Sequence, residues 1–151
     1  MGMSSDAIIC FGIALEEEQE YPWDEYEEIE EWWLHEVLGY KHPFEIYDSE
    51  GNYIDGIRPD EATMKKYYNA ESAVYNKSPL PIELVTHCSY EYPMYIVALP
   101  GTKLRAYRGD PKRVEMRRVP EEEKRILTDF CDRHEIEYSG KPCWWLASLF
   151  G

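Results

Sequence analysis

Carboxylates crowd one early stretch of the sequence. Eleven Asp or Glu side chains fall between Glu16 and Glu36, and the first forty residues hold twelve such acids and no Lys or Arg. Carboxylates three or four residues apart on a helix lie about 5–6 Å from one another. Nucleic-acid phosphates repeat at about 3.4 Å per strand. An acidic helix of this kind therefore predicts contact with a basic surface, although most charge runs are only solvated faces.

Glu71 is a second residue whose setting suggests chemistry. The pattern around it predicts a helix that places this carboxylate among apolar and tyrosine side chains, an environment that suits a general acid. His87 would complete such a pocket, with His134 as a further member. Carboxylates in such settings are more often held by tyrosine hydroxyls or an arginine. Glu71 and His87 thus define an alternative hypothesis, a small hydrolase-like enzyme.

Two sets of residues resemble metal ligands. Cys131 and His134 share a helix face and Cys143 follows, but structural zinc sites usually show two short ligand spacings and only one is present. A calcium-like loop lacks the glycine at its sixth position and the closing glutamate. Its ligand candidates are Asp48, Glu50, Asn52 and Asp55. We therefore predict no metal and no cofactor.

A basic stretch follows late in the chain. Its bases are Lys103, Arg105, Arg108, Lys112, Arg113, Arg117 and Arg118. They could contact phosphates, or pair with the acidic half of the same molecule or of a homodimer partner. The net charge of -14 favours pairing and argues against direct nucleic-acid binding.

The acidic stretch belongs to a predicted helix. Asp24 is placed as its N-cap, with Glu27 three residues on, and the helix runs to Leu38 before Gly39. Charged residues on its outer side, together with apolar residues on its flanks, form the predicted partner-binding site. These residues are Asp24, Glu27, Glu28, Glu31, Trp32, Leu34 and Leu38.

Five runs have the apolar patterning of β-strands. They are Ala7–Leu15, Ile82–Cys88, Met94–Leu99, Lys103–Arg108 and Cys143–Phe150. The first has one face of small residues around Gly12, which predicts close approach by a neighbouring chain. Met94–Leu99 is apolar throughout, as in a central strand. The three middle runs predict a meander, and Pro142 places the last strand at a possible edge.

The remaining pattern predicts a short hairpin of residues 44–47 and 52–54 and two more helices, Asp60–Asn76 and Pro120–Ile136. Together these elements predict an α+β fold: a single domain over residues 1–151, with a mixed or antiparallel sheet of five to six strands and three helices packed on it.

Two C-terminal segments, Cys88–Thr102 (CSYEYPMYIVALPGT) and Pro142–Gly151 (PCWWLASLFG), resemble small uncharacterised proteins encoded in tailed-phage genomes. The resemblance covers about the last two-fifths of the chain. It implies a phage accessory protein, a class in which acidic inhibitors of host factors are frequent, and it assigns no role to any residue.

The leading hypothesis is a non-enzymatic interaction protein that inhibits or binds a nucleic-acid-handling factor by nucleic-acid mimicry. Scattered cysteines and the lack of a signal peptide or membrane span predict the cytoplasm, that of the host cell if the protein is phage-encoded. Besides the enzyme, a structural protein that self-associates through opposite charges stays open as an alternative.

Overall fold

The computed structural model describes residues 5–41 and 60–151. The chain divides into two compact units. Met1–Pro22 and Pro81–Gly151 form the first, which we call the sheet unit, and Trp23–Leu80 forms the second, which we call the helical unit. The predicted hairpin of residues 44–47 and 52–54 and the calcium-like loop of residues 48–55 lie outside the described residues.

The described part of the sheet unit contains one mixed sheet of five strands. These are β1 (Ser5–Ala14), β2 (Glu83–Ser89), β3 (Pro93–Ala98), β4 (Leu104–Ala106) and β5 (Cys143–Phe150). With three helices in the described chain, described below, this sheet confirms the α+β class. The strands follow the predicted apolar runs because alternate side chains enter a shared core.

β1 is the strand around which the sheet is arranged. It pairs with β5 along one edge, while its other edge pairs first with β4 and then, from Gly12, with β3. A Cβ atom on Gly12 would lie 2.3 Å from the carbonyl oxygen of Val97. The close approach predicted for the small face of β1 is therefore confirmed.

The predicted meander is wrong in its last step. β2 and β3 pair antiparallel as expected, but β4 pairs with β1 and not with β3. Gly101, at φ +81°, turns the chain after β3, and the amide of Phe11 donates to the Thr102 hydroxyl at 3.2 Å. That hydroxyl bridges the point where β1 changes partner. Because β1 is ten residues long, β3 and β4 both fit along the same edge.

β5 is an interior strand, so its predicted edge position is wrong. It pairs with β1 over eight residues and with β2, in parallel, at Cys88↔Leu149 and Ser89↔Phe150. The pairings of β1, β3, β2 and β5 thus close a ring. The core lies inside it and consists of Ile8, Cys10, Val85, Ile96, Ala98 and Leu149. Pro142 precedes the strand, so its missing donor leaves the ladder intact.

One helix completes the described sheet unit. This helix, which becomes α3 in chain order, spans Glu121–Arg133 with Pro120 at the N-cap. Leu127, Phe130 and Cys131 are buried, as predicted, whereas Ile126 is exposed.

The helical unit contains α1 (Ile29–Trp32), which continues as a π-helical turn over Trp33–Val37, and α2 (Glu61–Lys77). The Asp60 side chain accepts from the Thr63 amide at 2.7 Å and caps α2. α1 begins four residues later than predicted, because its N-cap is Glu28 and not Asp24. Four carboxylates within residues 24–28, with no nearby Lys or Arg in sequence, repel one another when wound into a helix.

None of the helices in the described ranges is both long and apolar enough to cross a lipid bilayer.

Candidate partner-binding site

The carboxylates between Glu16 and Glu36, which we call the acidic stretch, are displayed to solvent. All eleven are exposed, including the predicted partner-binding residues Asp24, Glu27, Glu28 and Glu31. Most of them lie on irregular chain, since α1 and its π-helical turn carry only Glu30, Glu31 and Glu36. The phosphate-like line of charge expected of a helix from Asp24 to Leu38 is therefore absent.

Trp32 and Leu34 were predicted as an exposed apolar anchor, and this prediction is wrong. Trp32 is 4% exposed and Leu34 is 8% exposed. The Trp32 ring packs edge-on against Trp23 at 5.7 Å, and the indole N–H of Trp33 donates to the Ser78 carbonyl at 2.8 Å. Three consecutive buried residues cover a wide face of this helical segment, which leaves neither side chain available to a partner. Leu38 is half-buried.

The sheet unit bears a cleft of about 460 Å³ lined by both carboxylates and tyrosines. We call it the tyrosine cleft; its carboxylates are Glu16, Glu17, Glu18 and Glu91, and its tyrosines are Tyr21, Tyr92 and Tyr95. The rings of Tyr21 and Tyr95 meet at 88° with centroids 5.3 Å apart. Aromatic faces beside carboxylates suit a cationic side chain, because ring quadrupole and charge attract it together.

Hydrogen bonds hold the wall of the tyrosine cleft in place. The Gln19 side chain donates to the Glu137 carbonyl and accepts from the Glu137 amide, both at 2.9 Å. The Tyr21 hydroxyl donates to the Glu16 carbonyl at 3.1 Å, and the Leu15 amide donates to the Tyr95 carbonyl at 3.0 Å. The cleft is therefore preorganised, which lowers the entropic cost of binding.

The helical unit has a smaller cleft of its own, of about 240 Å³, which Glu71 lines. Glu30 and Glu31 of α1 and Tyr75 of α2 line it too. Burial raises the pKa of Tyr40, and the nearby Glu71 carboxylate raises it further. Glu71 thus lies among tyrosines, as predicted from its helical pattern.

The enzyme hypothesis requires a histidine beside Glu71. Among the described residues that line the Glu71 cleft there is none. His87 lies half-buried on β2 of the sheet unit, where burial lowers its pKa. The described lining of the Glu71 cleft therefore does not itself contain the carboxylate–histidine pair of the enzyme hypothesis.

The cysteine and histidine pattern near the C-terminus has a packing explanation. Cys131 is fully buried, and burial raises its pKa to about 12. The His134 ring packs on Phe130 with centroids 4.8 Å apart. Within residues 5–41 and 60–151, no three His, Cys, Asp or Glu side chains are grouped as metal ligands.

The basic stretch pairs mostly with its own neighbours. Arg105 donates to the buried Asp6 carboxylate, with Nε 2.9 Å from Oδ2, which joins it to the acidic N-terminal part as expected. Arg117 forms a bidentate pair with Glu123 at 2.9 and 3.1 Å, and Lys112 pairs with Asp110 at 2.9 Å.

The sequence analysis missed the tyrosine cleft. Its parts come from two distant segments, 15–21 and 88–95, and neither has a motif. The signal that could have found it is the load of 13 tyrosines in 151 residues, because tyrosine is enriched where partners bind.

Comparison of the chain with protein-family models, with curated proteins and with solved structures finds no match.

Proposed function

We propose that this protein is a non-enzymatic interaction protein whose acidic stretch binds a basic surface of a partner protein. The observation that carries the proposal is the exposure of all eleven carboxylates from Glu16 to Glu36. Members of this set also line a cleft that contains tyrosine side chains in each unit. Each unit therefore has a concave site for a basic side chain of the partner.

Two physical effects support the proposal. Concentrated charge of one sign steers an oppositely charged partner and raises the association rate. Once bound, a Lys or Arg side chain of the partner enters a cleft where carboxylates and ring faces replace its hydration. Binding of this kind weakens as salt rises, because salt screens exposed charges.

The class of partner that fits best is a nucleic-acid-handling protein. Such proteins carry Lys and Arg to neutralise phosphates, and an acidic surface competes for those side chains. The resemblance to phage-encoded proteins extends the proposal to an inhibitor of a host factor in the host cytoplasm. The surface that would compete with nucleic acid consists of separate clefts and exposed carboxylates. It is not a regular line of carboxylates along a helix.

Charge reversal of Glu27, Glu28 and Glu31 to Lys tests the proposal. These side chains are exposed, so the variant should keep its circular dichroism spectrum and thermal midpoint. We expect its affinity for a fluorescein-labelled oligoarginine peptide to fall by about tenfold or more, since several charge contacts are lost. Fluorescence anisotropy at low and high salt measures both the loss and the screening.

A matched variant separates a local effect from net charge. Glu122, Asp129 and Glu135 are exposed carboxylates of the sheet unit outside the acidic stretch, and their reversal to Lys changes the net charge by the same amount. This control should retain most of the affinity. Equal losses in both variants, or no loss in either, would refute the proposal.

A further inference from the structure

Two hollows of about 510 and 440 Å³ adjoin on the sheet unit. Arg117 and Trp144 line both, so the hollows flank the same extended chain over residues 111–120. We call them together the basic groove. Its bases are Lys103, Arg113, Arg117, Arg118 and Lys124, while its carboxylates are Glu115 and Glu121. Positive charge therefore predominates here, on a protein of net charge -14.

The basic groove has an apolar floor. Ile9 of β1, Leu104 of β4 and Trp144 of β5 line it from the sheet. Val114 and Met116 line it from the extended chain and are 43% and 62% exposed. Exposed apolar side chains within a charged rim are typical of surfaces that bind proteins.

The groove is formed before any ligand arrives. The Trp144 indole N–H donates to the Arg117 carbonyl at 3.3 Å, which ties the extended chain to β5. The Trp144 ring in turn meets Phe11 edge-on at 5.6 Å. These contacts hold the Trp144 ring between Phe11 and the backbone of Arg117.

We infer that the basic groove binds an acidic peptide segment of a partner that also carries apolar side chains. The ligand's carboxylates would pair with the rim, and its apolar groups would cover Val114 and Met116. Two of the groove bases are already paired, Arg117 with Glu123 and Lys124 with Glu121, so the ligand's carboxylates would pair mainly with Arg113 and Arg118. Arg113 lies 3.7 Å from Glu115 with both side chains exposed, and exposed ion pairs of this kind are weak because water screens them. A ligand carboxylate can therefore replace Glu115.

The floor favours a peptide over a nucleic acid. Single strands bind by stacking bases on exposed aromatic faces. Here Phe11 is buried and Trp144 is half-buried with its N–H engaged, while the most exposed floor residues, Val114 and Met116, are not aromatic. The inference uses none of the carboxylates of the acidic stretch, so it stands or falls independently of the proposed function.

The test measures anisotropy of a fluorescein-labelled dodecapeptide made of Glu, Asp, Leu and Phe. We expect Arg113→Glu combined with Arg118→Glu to weaken its binding about tenfold or more. Lys65→Glu combined with Lys66→Glu, an equal charge change at exposed residues of α2, is the control and should bind as the unmodified protein does. Equal affinities for the two variants would overturn the inference.

Two further probes and one further variant identify the ligand class. Met116→Ser should weaken binding of the dodecapeptide of Glu, Asp, Leu and Phe, which we call the mixed peptide. It should leave binding of oligoglutamate unchanged, because only the mixed peptide has apolar side chains that contact the floor of the groove. Oligoglutamate binding as tightly as the mixed peptide would overturn the apolar part of the inference. Tighter binding of oligothymidine would assign the groove to nucleic acid. Self-association that is abolished by Arg113→Glu with Arg118→Glu, measured by sedimentation, would assign it to a second copy of the chain.

Discussion

Gly12 shows how one residue decides which strands are neighbours. It pairs with Cys143 of β5 on one edge of β1 and with Ala98 of β3 on the other. A Cβ atom there would lie 2.3 Å from the Val97 carbonyl oxygen, a separation that real side chains do not show. The backbone of β3 can cross so close to β1 only because this position has no side chain.

Gly12→Ala should therefore destabilise the sheet unit. We expect a loss of roughly 1–3 kcal/mol or more in the free energy of unfolding, because the neighbouring atom is backbone and has little freedom to move. Urea denaturation followed by tryptophan fluorescence measures the loss. Ala7→Ser, at an exposed position of the same strand, should cost less than about 0.5 kcal/mol. Equal midpoints for the two variants would contradict this explanation.

At this scale the sequence predicts burial in strands better than in the first helix. The alternation of small and bulky residues predicted a small face on β1, and the structure confirms that β3 approaches closely at Gly12. The burial of Trp32 and Leu34 was missed because an ideal helical wheel assigns them to the flanks. The segment changes from α to π geometry at Trp33, which alters the face that Leu34 occupies. Trp32 precedes this change, and its ring packs against Trp23.

Among the elements, β5 links β1 to β2 in the sheet unit. Its inward residues alternate with outward ones. Leu149 is 4% exposed and belongs to the core, whereas Leu146 on the same strand is 75% exposed. The two leucines thus lie on opposite faces of β5.

Leu149→Ala should cost about 2–5 kcal/mol of unfolding free energy, since it removes buried methyl groups and leaves a cavity. Leu146→Ala should cost less than about 0.5 kcal/mol, because its side chain is already in water. Chemical denaturation of the two variants side by side provides the comparison. Similar costs at the two positions would show that the inward and outward faces of β5 are assigned wrongly.

The existence of elements was predictable, but their partners were not. All five described strands coincide with apolar runs, and α2 and α3 begin within one residue of their predicted starts. The pairing of β4 with β1 was missed because it depends on the Thr102 hydroxyl and on the length of β1, neither of which leaves a periodic signal. The late start of α1 was missed because capping rules do not count repulsion among carboxylates.

Over the whole molecule, two half-buried histidines link stability to pH. Burial lowers the pKa of both His87 and His134 in the folded chain. As pH falls below about 6.5, the unfolded chain takes up protons that the folded chain does not. The free energy of unfolding should therefore decrease as pH falls from neutral through this range.

Urea denaturation at pH values on either side of the histidine range checks this expectation. The double variant His87→Gln and His134→Gln should show a smaller decrease over the same interval, since the linked protons are no longer available. An identical decrease in the double variant would assign the acid sensitivity to other groups.

The strand pairs that close the ring in the sheet unit differ in length. β1 and β5 share eight residue pairs, whereas β5 and β2 share only two residue pairs. Parting that short parallel contact requires far less free energy than global unfolding, because local openings cost only the contacts they break. We therefore expect amide protons of the β1–β5 ladder to exchange more slowly than those at the β2–β5 contact, where brief local openings would admit water beside Val85 and Leu149.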